Sequence, residues 1–376
     1  MGGGSAGHVA PTLAVIDELA RRHPNLEVRF WCDRGYVNQS ASLMRHAHVE
    51  VKVEKIYAGK YRRYHGASLM SRLTDIATFG RNLIDTFAVA AGFIQSLIKL
   101  IMWRPTVVFC KGGFVCLPVG YAAHLLRIPL VIHDSDAQPG LTNRLLASCA
   151  RYIGTGAPLE YYNYPEAKAH YTGIPVKPEF RLYSKDEKVH AKQLFQLPAD
   201  RPLLVVMGGG LGAQRINDAM VAIAPTLSAH MSVFHLCGVR QYVELKQKLP
   251  ATQNYKLMAF LSDHLAQLLG ASDVVVSRVG ASAMAELAAA AASVIMVPSR
   301  YLADQQKNAV VYARAEAAVL LDEVKFGDNP HLLQEAIEQL LKNPATRDQL
   351  SQKLHALAKP EAATEMANLI EQAGGL

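Results

Sequence analysis

Leu203-Leu204-Val205-Val206-Met207-Gly208-Gly209-Gly210-Leu211-Gly212-Ala213-Gln214 is the stretch that decides the fold class. Five consecutive apolar residues read as a strand buried on both faces, because a half-buried strand would alternate. The glycines that follow permit positive φ and a close backbone approach. From Gln214 to Leu227 the pattern becomes helical, so a helix starts where the glycines stop. Its N-terminus offers free N–H groups and partial positive charge, which suit a diphosphate.

Outward from this stretch the same syllable recurs. Val107–Cys110 reads as a strand and runs into Lys111-Gly112-Gly113-Phe114-Val115. A third glycine loop, Gly2 to Gly7, opens a helix over Val9–Arg22 that places Val9, Leu13, Ile16 and Leu19 on one face. In α/β folds such a loop follows a buried strand that positions it. None precedes Gly2, so the sequence reads as one that begins inside a βα unit, by truncation or a mis-assigned start. Further strands are expected at Val28–Cys32, Leu130–His133, Tyr152–Thr155, Val233–Cys237, Val274–Ser277 and Ser293–Val297. Helices are expected at 83–103 and 282–292, between strands. This is βα repetition with parallel sheets.

With 376 residues the chain fits two such domains. The hinge falls at Gly173-Ile174-Pro175-Val176-Lys177-Pro178, where two prolines restrict the backbone. The division is a first domain at 1–173, a second at 174–358, and a final helix at 359–376 packing back on the first.

Half of the residues are hydrophobic and 19% charged, the composition of a globular protein with a full core. Five dispersed cysteines form no Cys-x-x-Cys pair, which argues for free thiols in a reducing compartment and against a zinc site. The net charge is +7, and part of the excess (Lys60, Arg62, Arg63, Arg72, Arg81, Lys99, Arg104) surrounds an apolar stretch. An anionic membrane surface fits that pattern, and nucleic acid is not expected. Thr86 to Ile98 is an uncharged run of 13 residues. A span needs roughly 20, so the segment is expected to lie on a membrane and not cross it. An ordinary core helix is the competing reading.

Several polar residues carry chemistry. No loop reads Gly-x-x-x-x-Gly-Lys-Ser/Thr, and no acidic residue ends the next strand as a nicotinamide site requires. Glu286 lies one turn into a helix that begins near Ser282, where a carboxylate can accept from both hydroxyls of a ribose or simply favour the helix dipole. Asp304-Gln305-Gln306-Lys307-Asn308 supplies amides able to read sugar hydroxyls. His8 opens a helix at the end of its loop and is read equally as a general base or as a capping or phosphate-binding group. His133-Asp134-Ser135-Asp136 ends a strand and faces an acceptor. Its two carboxylates resemble a metal pair, but they lie far from the nucleotide features in sequence, and no metal is assigned.

In this order and spacing, these motifs resemble the MurG family, the UDP-N-acetylglucosamine transferases that convert lipid I to lipid II in peptidoglycan synthesis. The likeness runs from residue 2 to about 325 through Ala6-Gly7-His8-Val9, Gly112-Gly113-Phe114-Val115, Gly140-Leu141-Thr142-Asn143, Thr172-Gly173-Ile174-Pro175-Val176-Lys177 and Gly208–Ala213. It implies a GT-B fold, two Rossmann-like domains facing a cleft. It also implies inverting, metal-independent transfer without a cofactor, from UDP-GlcNAc to the C4 hydroxyl of MurNAc in undecaprenyl-pyrophosphoryl-MurNAc-pentapeptide. The resemblance carries over His8 as catalytic base. It assigns the donor to Ser5, Gly7, Lys177, Gly210, Leu211, Leu261, Ala281, Ser282, Glu286, Gln305 and Gln306. Asp134, Asp136, Asn143, Lys60, Arg62 and Arg63 fall to the acceptor and membrane. The expected place is the cytoplasmic face of the membrane, with other cell-wall synthesis proteins as partners.

The chain departs from the family pattern where Gly210 and Leu211 replace serine and glutamine, Lys177 replaces arginine, and Asp134 and Asp136 replace glutamate and asparagine. Rival readings are a UDP-GlcNAc 2-epimerase, a transferase acting on another lipid, and a non-catalytic nucleotide-sugar-binding homologue.

Overall fold

A computed structural model describes residues 1–2, 6–60, 76–249, 252–261 and 263–376. Ser5, Arg62, Arg63 and Arg72 lie outside them, as does the Arg81 side chain. The chain divides into two compact units, Met1–Pro175 with Glu361–Leu376, and Val176–Pro360.

In the first unit, β1 (Val28–Cys32) pairs parallel with β2 (Val51–Lys55). Separately, β3 (Val108–Cys110), β4 (Leu130–Asp134), β5 (Tyr152–Thr155) and β6 (Ala169–Tyr171) form a parallel sheet in that order. Between β1 and β3 lies an apolar cavity whose walls include Val15, Ile16, Phe30, Trp31, Val108 and Phe109. Among the described residues, Met1 makes the ladder bonds along the open edge of β3. Its ammonium donates to the Phe109 carbonyl at 2.8 Å, and its carbonyl accepts from the Lys111 N–H at 2.9 Å. One residue thus fixes the edge that carries the second glycine loop.

The helix Ala6–Arg22 uses two faces. Val9, Leu13 and Ile16 pack with Phe30, Cys32 and Met44, while Val15 and Leu19 meet Met366 and Ile370 of the helix Ala362–Gly374. Each fully buried aliphatic side chain contributes about 1.5–3 kcal/mol. The Arg22–Glu371 ion pair at 2.7 Å adds at most about 1 kcal/mol, so apolar burial decides where the last helix docks.

The helix Ile76–Trp103 is also two-faced. Gly92, Ser96 and Leu100 turn inward, with the Gly92 backbone tight against the Tyr57 carbonyl, so any larger residue there would collide. Ile84, Phe87, Ile94, Ile98, Ile101 and Met102 stay exposed. Phe93, between these exposed side chains in sequence, packs partly against the core. The uncharged run understated this element. Ile84–Trp103 is long and apolar enough to cross a membrane by length and composition, with 17% of it buried.

The second unit holds six parallel strands in the order β12-β11-β10-β7-β8-β9, where β7 is Leu203–Met207, β8 Ser232–Leu236, β9 Tyr255–Met258, β10 Val274–Ser277, β11 Val294–Met296 and β12 Val319–Leu320. Successive residues point to opposite faces, and helices cover both. Leu204 and Val206 enter one core cluster, while Leu203, Val205 and Met207 enter the other. Counted from β7, the order is 3-2-1-4-5-6 reversed, that of a doubly wound nucleotide-binding sheet. Its chain reversal lies between β7 and β10, where ligands bind beyond the carboxyl ends of the strands.

Candidate active site

Two loops leave the sheet of the second unit at that reversal. After β7 the loop turns through Gly209 (φ +82°) and Gly212 (φ +85°), closed by the Gly212 N–H on the Gly209 carbonyl at 2.9 Å. At Gly212 the backbone lies against the Cys237 carbonyl, leaving no room for a side chain. Gly210 faces open space towards the Phe260 ring, and the Leu211 side chain is exposed. The Val239 N–H reaches the Gly210 carbonyl at 3.4 Å and the Gly238 N–H the Ala259 carbonyl at 3.0 Å, so the loop after β8 ties the glycine loop to the segment that carries Phe260 and Leu261.

After β10, Gly280 precedes the helix Ala281–Ala289, whose first turn presents Ala281 and Ser282. Glu286 follows one turn later. Burial alone pushes its carboxyl up to about 7. A half-buried carboxyl at a strand reversal is suited to a pair of ligand hydroxyls.

The helix Ala303–Arg314 is tied to this turn, because buried Asn308 donates to the Val279 carbonyl at 3.2 Å. Gln305 accepts from the Ser299 N–H at 2.9 Å, and Gln306 donates to the Ser299 carbonyl at 3.1 Å. Both amides are thereby oriented while keeping capacity for a ligand. Lys177 is half-buried at the start of the unit, with its carbonyl accepting from the Phe180 N–H at 3.0 Å.

The first unit builds a second cluster. Gly112 (φ +103°) and Gly113 (φ +86°) turn the loop after β3. A side-chain carbon at Gly112 would sit 3.4 Å from the Asn143 amide nitrogen and 3.6 Å from His8 Cε1, so glycine lets these two groups converge. Asn143 donates to the His133 carbonyl at 3.0 Å, while its Oδ1 is buried and, among the described residues, without a partner. Among the described residues, His8 Nδ1 and His133 Nδ1 likewise have no partner and are buried. His8 is pushed down to about 4, first by burial and then by the Lys111 ammonium. It is a neutral imidazole at physiological pH, the form that accepts a proton.

Asp134 is buried and committed within the protein. Its Oδ2 accepts from the Gly140 N–H at 2.9 Å and the Tyr164 hydroxyl at 2.8 Å, and burial raises it to about 6. It holds the turn that presents Asn143. Asp136 is half-buried, and its carbonyl accepts from Tyr162 at 2.8 Å. Gly7 lies in the first turn of the helix Ala6–Arg22, and Lys60 is exposed.

Residues 1–155 match the glycosyltransferase family 28 N-terminal domain and residues 203–370 its C-terminal domain. Over 376 residues, 99% of this chain and 98% of the relative, the chain is 30% identical to the UDP-N-acetylglucosamine--N-acetylmuramyl-(pentapeptide) pyrophosphoryl-undecaprenol N-acetylglucosamine transferase of Clostridium kluyveri. The chain belongs to the MurG family of glycosyltransferases.

A crystal structure of MurG from Acinetobacter baumannii matches with a TM-score of 0.69 at 22% identity, covering 99% of this chain and 98% of that one. UDP-GlcNAc 2-epimerase from Neisseria meningitidis bound to UDP-GlcNAc reaches 0.67 at 14% identity over 99% and 98% of the two chains. Fold likeness alone therefore does not separate MurG-type transfer from epimerisation.

Two features of this MurG-family chain escape sequence reasoning. Lys111 is buried, with its ammonium on the Ser135 hydroxyl. Arg278 forms a buried ion pair with Glu323 at 2.6 Å and donates to the Val297 carbonyl at 3.1 Å. The other Glu323 oxygen accepts from the Arg300 N–H at 2.7 Å. Single charged residues flanking glycines gave a signal for neither; only the strand order brings them inward.

Proposed function

We propose that this chain transfers N-acetylglucosamine from UDP-GlcNAc to the muramyl sugar of undecaprenyl-pyrophosphoryl-MurNAc-pentapeptide, making lipid II from lipid I. The observation that carries the reading is the near-complete, two-sided coverage by a relative of that name at 30% identity. The placement of Glu286 one turn into the helix that follows the strand reversal supports it from physical grounds.

The donor belongs to the second unit. Glu286 accepts from the ribose hydroxyls, the segment at Leu261 meets the uracil, and Gln305 and Gln306 read the sugar. Backbone N–H groups from Ala281 and Ser282 stabilise charge on the departing diphosphate, aided by Lys177. Gly210 and the exposed Leu211 offer no hydroxyl or amide there, so backbone groups of that loop do the work.

The acceptor belongs to the first unit, at Asn143 and the Gly112 turn. His8, neutral at cellular pH, takes the proton of the acceptor hydroxyl as its oxygen bonds to the anomeric carbon. The carbon–oxygen bond to UDP breaks, its electron pair leaves on the diphosphate, and attack opposite UDP inverts the centre. The pair Asp134–Tyr164 positions this site and does not touch the sugar.

The protein acts at the cytoplasmic face of the membrane. The exposed Ile84, Phe87, Ile94, Ile98 and Ile101 face fits the apolar boundary of the bilayer, where a helix with one apolar side lies in the interface. The opposite face is committed to the core at Leu100 and Ser96, which argues against a free span.

Mass spectrometry and NMR of the lipid product test the reaction. One added N-acetylhexosamine in β linkage is expected; an α linkage, or addition to a different lipid, contradicts it.

A further inference from the structure

We infer that Glu323 is a positioning residue for the donor, a buried carboxylate that holds the loops after β10 and β11 at the separation one nucleotide-sugar needs to meet both. The inference rests on the reading of Glu286, Gln305 and Gln306 as donor-binding groups.

Glu323 opens the helix Glu323–Asp328, just after β12, and its side chain is 2% exposed. Its two oxygens go to different loops. Oε2 pairs with the Arg278 guanidinium at 2.6 Å, two residues before Gly280, which caps the helix carrying Ala281, Ser282 and Glu286. Oε1 accepts from the Arg300 N–H at 2.7 Å. Arg300 follows Ser299, whose N–H and carbonyl hold the amides of Gln305 and Gln306. Arg278 is pinned in turn. Its backbone N–H donates to the Met207 carbonyl of β7 at 3.3 Å, and its guanidinium to the Val297 carbonyl after β11 at 3.1 Å. One carboxylate thus ties together the carboxyl ends of β10, β11 and β12, the edge of the sheet beyond which ligands bind.

Apolar side chains could fill the same space. A buried ion pair adds little net stability over such packing, because desolvation offsets the attraction. What the carboxylate adds is direction: bonds of fixed length to two loops, so that neither slides past the other. Asn308 secures the other side, tying the helix Ala303–Arg314 back to Val279.

UDP reaches only the groups on the β10 side, whereas UDP-GlcNAc also needs the amides after β11. A shifted spacing therefore weakens UDP-GlcNAc and spares UDP, while loss of the folded unit weakens both alike.

Calorimetric titration of the full chain with UDP and with UDP-GlcNAc, beside a melting curve, is the test. Glu323→Gln keeps the size but only one acceptor oxygen, so it cannot serve both Arg278 and Arg300. We expect affinity for UDP-GlcNAc to fall about tenfold, the scale of one hydrogen bond to a charged group, and affinity for UDP to fall by less than about twofold. Arg278→Lys keeps the buried charge on an unforked side chain and should shift the ratio in the same direction, which covers a Glu323→Gln that fails to fold. Equal losses for the two ligands, or no loss in a folded variant, overturn the inference. Gln305→Ala separates it from the reading beneath it. If that change leaves the ratio of the two affinities unmoved, the amides do not read the donor sugar, and the donor reading falls whatever Glu323→Gln does.

Discussion

Asn308 donates its side-chain amide to the Val279 carbonyl at 3.2 Å, joining the helix that carries Gln305 to the turn that carries Glu286. One buried bond thus sets the spacing between the groups proposed for the donor's sugar and its ribose. Asn308→Leu keeps the volume and removes the donor, leaving a buried carbonyl unsatisfied at a cost of about 1–3 kcal/mol. We expect a lower melting temperature and a KM for UDP-GlcNAc raised about tenfold, with kcat changed less. Unaltered KM and melting would show that the bond positions nothing.

Glu286 gives a pH dependence with a definite sign. Its folded-state carboxyl titrates at about 7, above the ordinary value of 4.5. The stability it contributes is full below pH 4.5 and is lost as pH rises through 7. Donor binding runs the other way, since ribose hydroxyls donate to the ionised form. Affinity for UDP-GlcNAc should therefore rise between pH 6 and pH 8, and Glu286→Gln should bind weakly without that slope. Calorimetric titration at several pH values reads both. A slope that survives in Glu286→Gln places the titrating group elsewhere.

The cavity between β1 and β3 makes a stability prediction. Among the described residues both sheet edges there are unpaired except at Met1, and the walls are mostly apolar. An engineered extension of five apolar, β-branched residues ahead of Met1 should enter the cavity as a strand. Each 1 kcal/mol gained raises Tm by about 2–4 °C in a unit of this size. A polar extension of equal length should leave Tm unchanged. Equal effects from the two would show that the cavity is not a strand site.

Membrane attachment should reside in the exposed face of the helix Ile76–Trp103. Replacing Ile94 and Ile98 with aspartate removes two side chains worth about 1.5–3 kcal/mol each when buried. Sedimentation with anionic vesicles should fall at least tenfold while the melting temperature holds. Undiminished binding would move the attachment to another surface.

Much of the fold was legible because its strands are short apolar runs closed by glycine or polar turns. Val28–Cys32, Tyr152–Thr155, Leu203–Met207 and Val274–Ser277 were read to the residue. Two strands at sheet edges were not. Val51–Lys55 alternates with Lys52 and Glu54, and Val319–Leu320 is two residues long, so neither stands out from its surroundings. The candidate site was legible in part. Glycine loops announce helix starts, which is how His8 and Glu286 emerged. Asp134 read as an acceptor ligand because its sequence neighbours are polar, while the structure turns it onto Gly140 and Tyr164. Lys111 gave no sequence signal, since burial of a lone lysine depends on carboxylates over twenty residues away.

Following the donor pool by NMR, with chelator present, with and without a lipid I analogue, tests the central claim most directly. The account predicts that UDP-GlcNAc is consumed only with the acceptor, yielding equal UDP and lipid-linked disaccharide. It also predicts that His8→Ala abolishes turnover while UDP-GlcNAc still binds. Conversion of UDP-GlcNAc to UDP-ManNAc without acceptor, or binding with no product when acceptor is present, would contradict it.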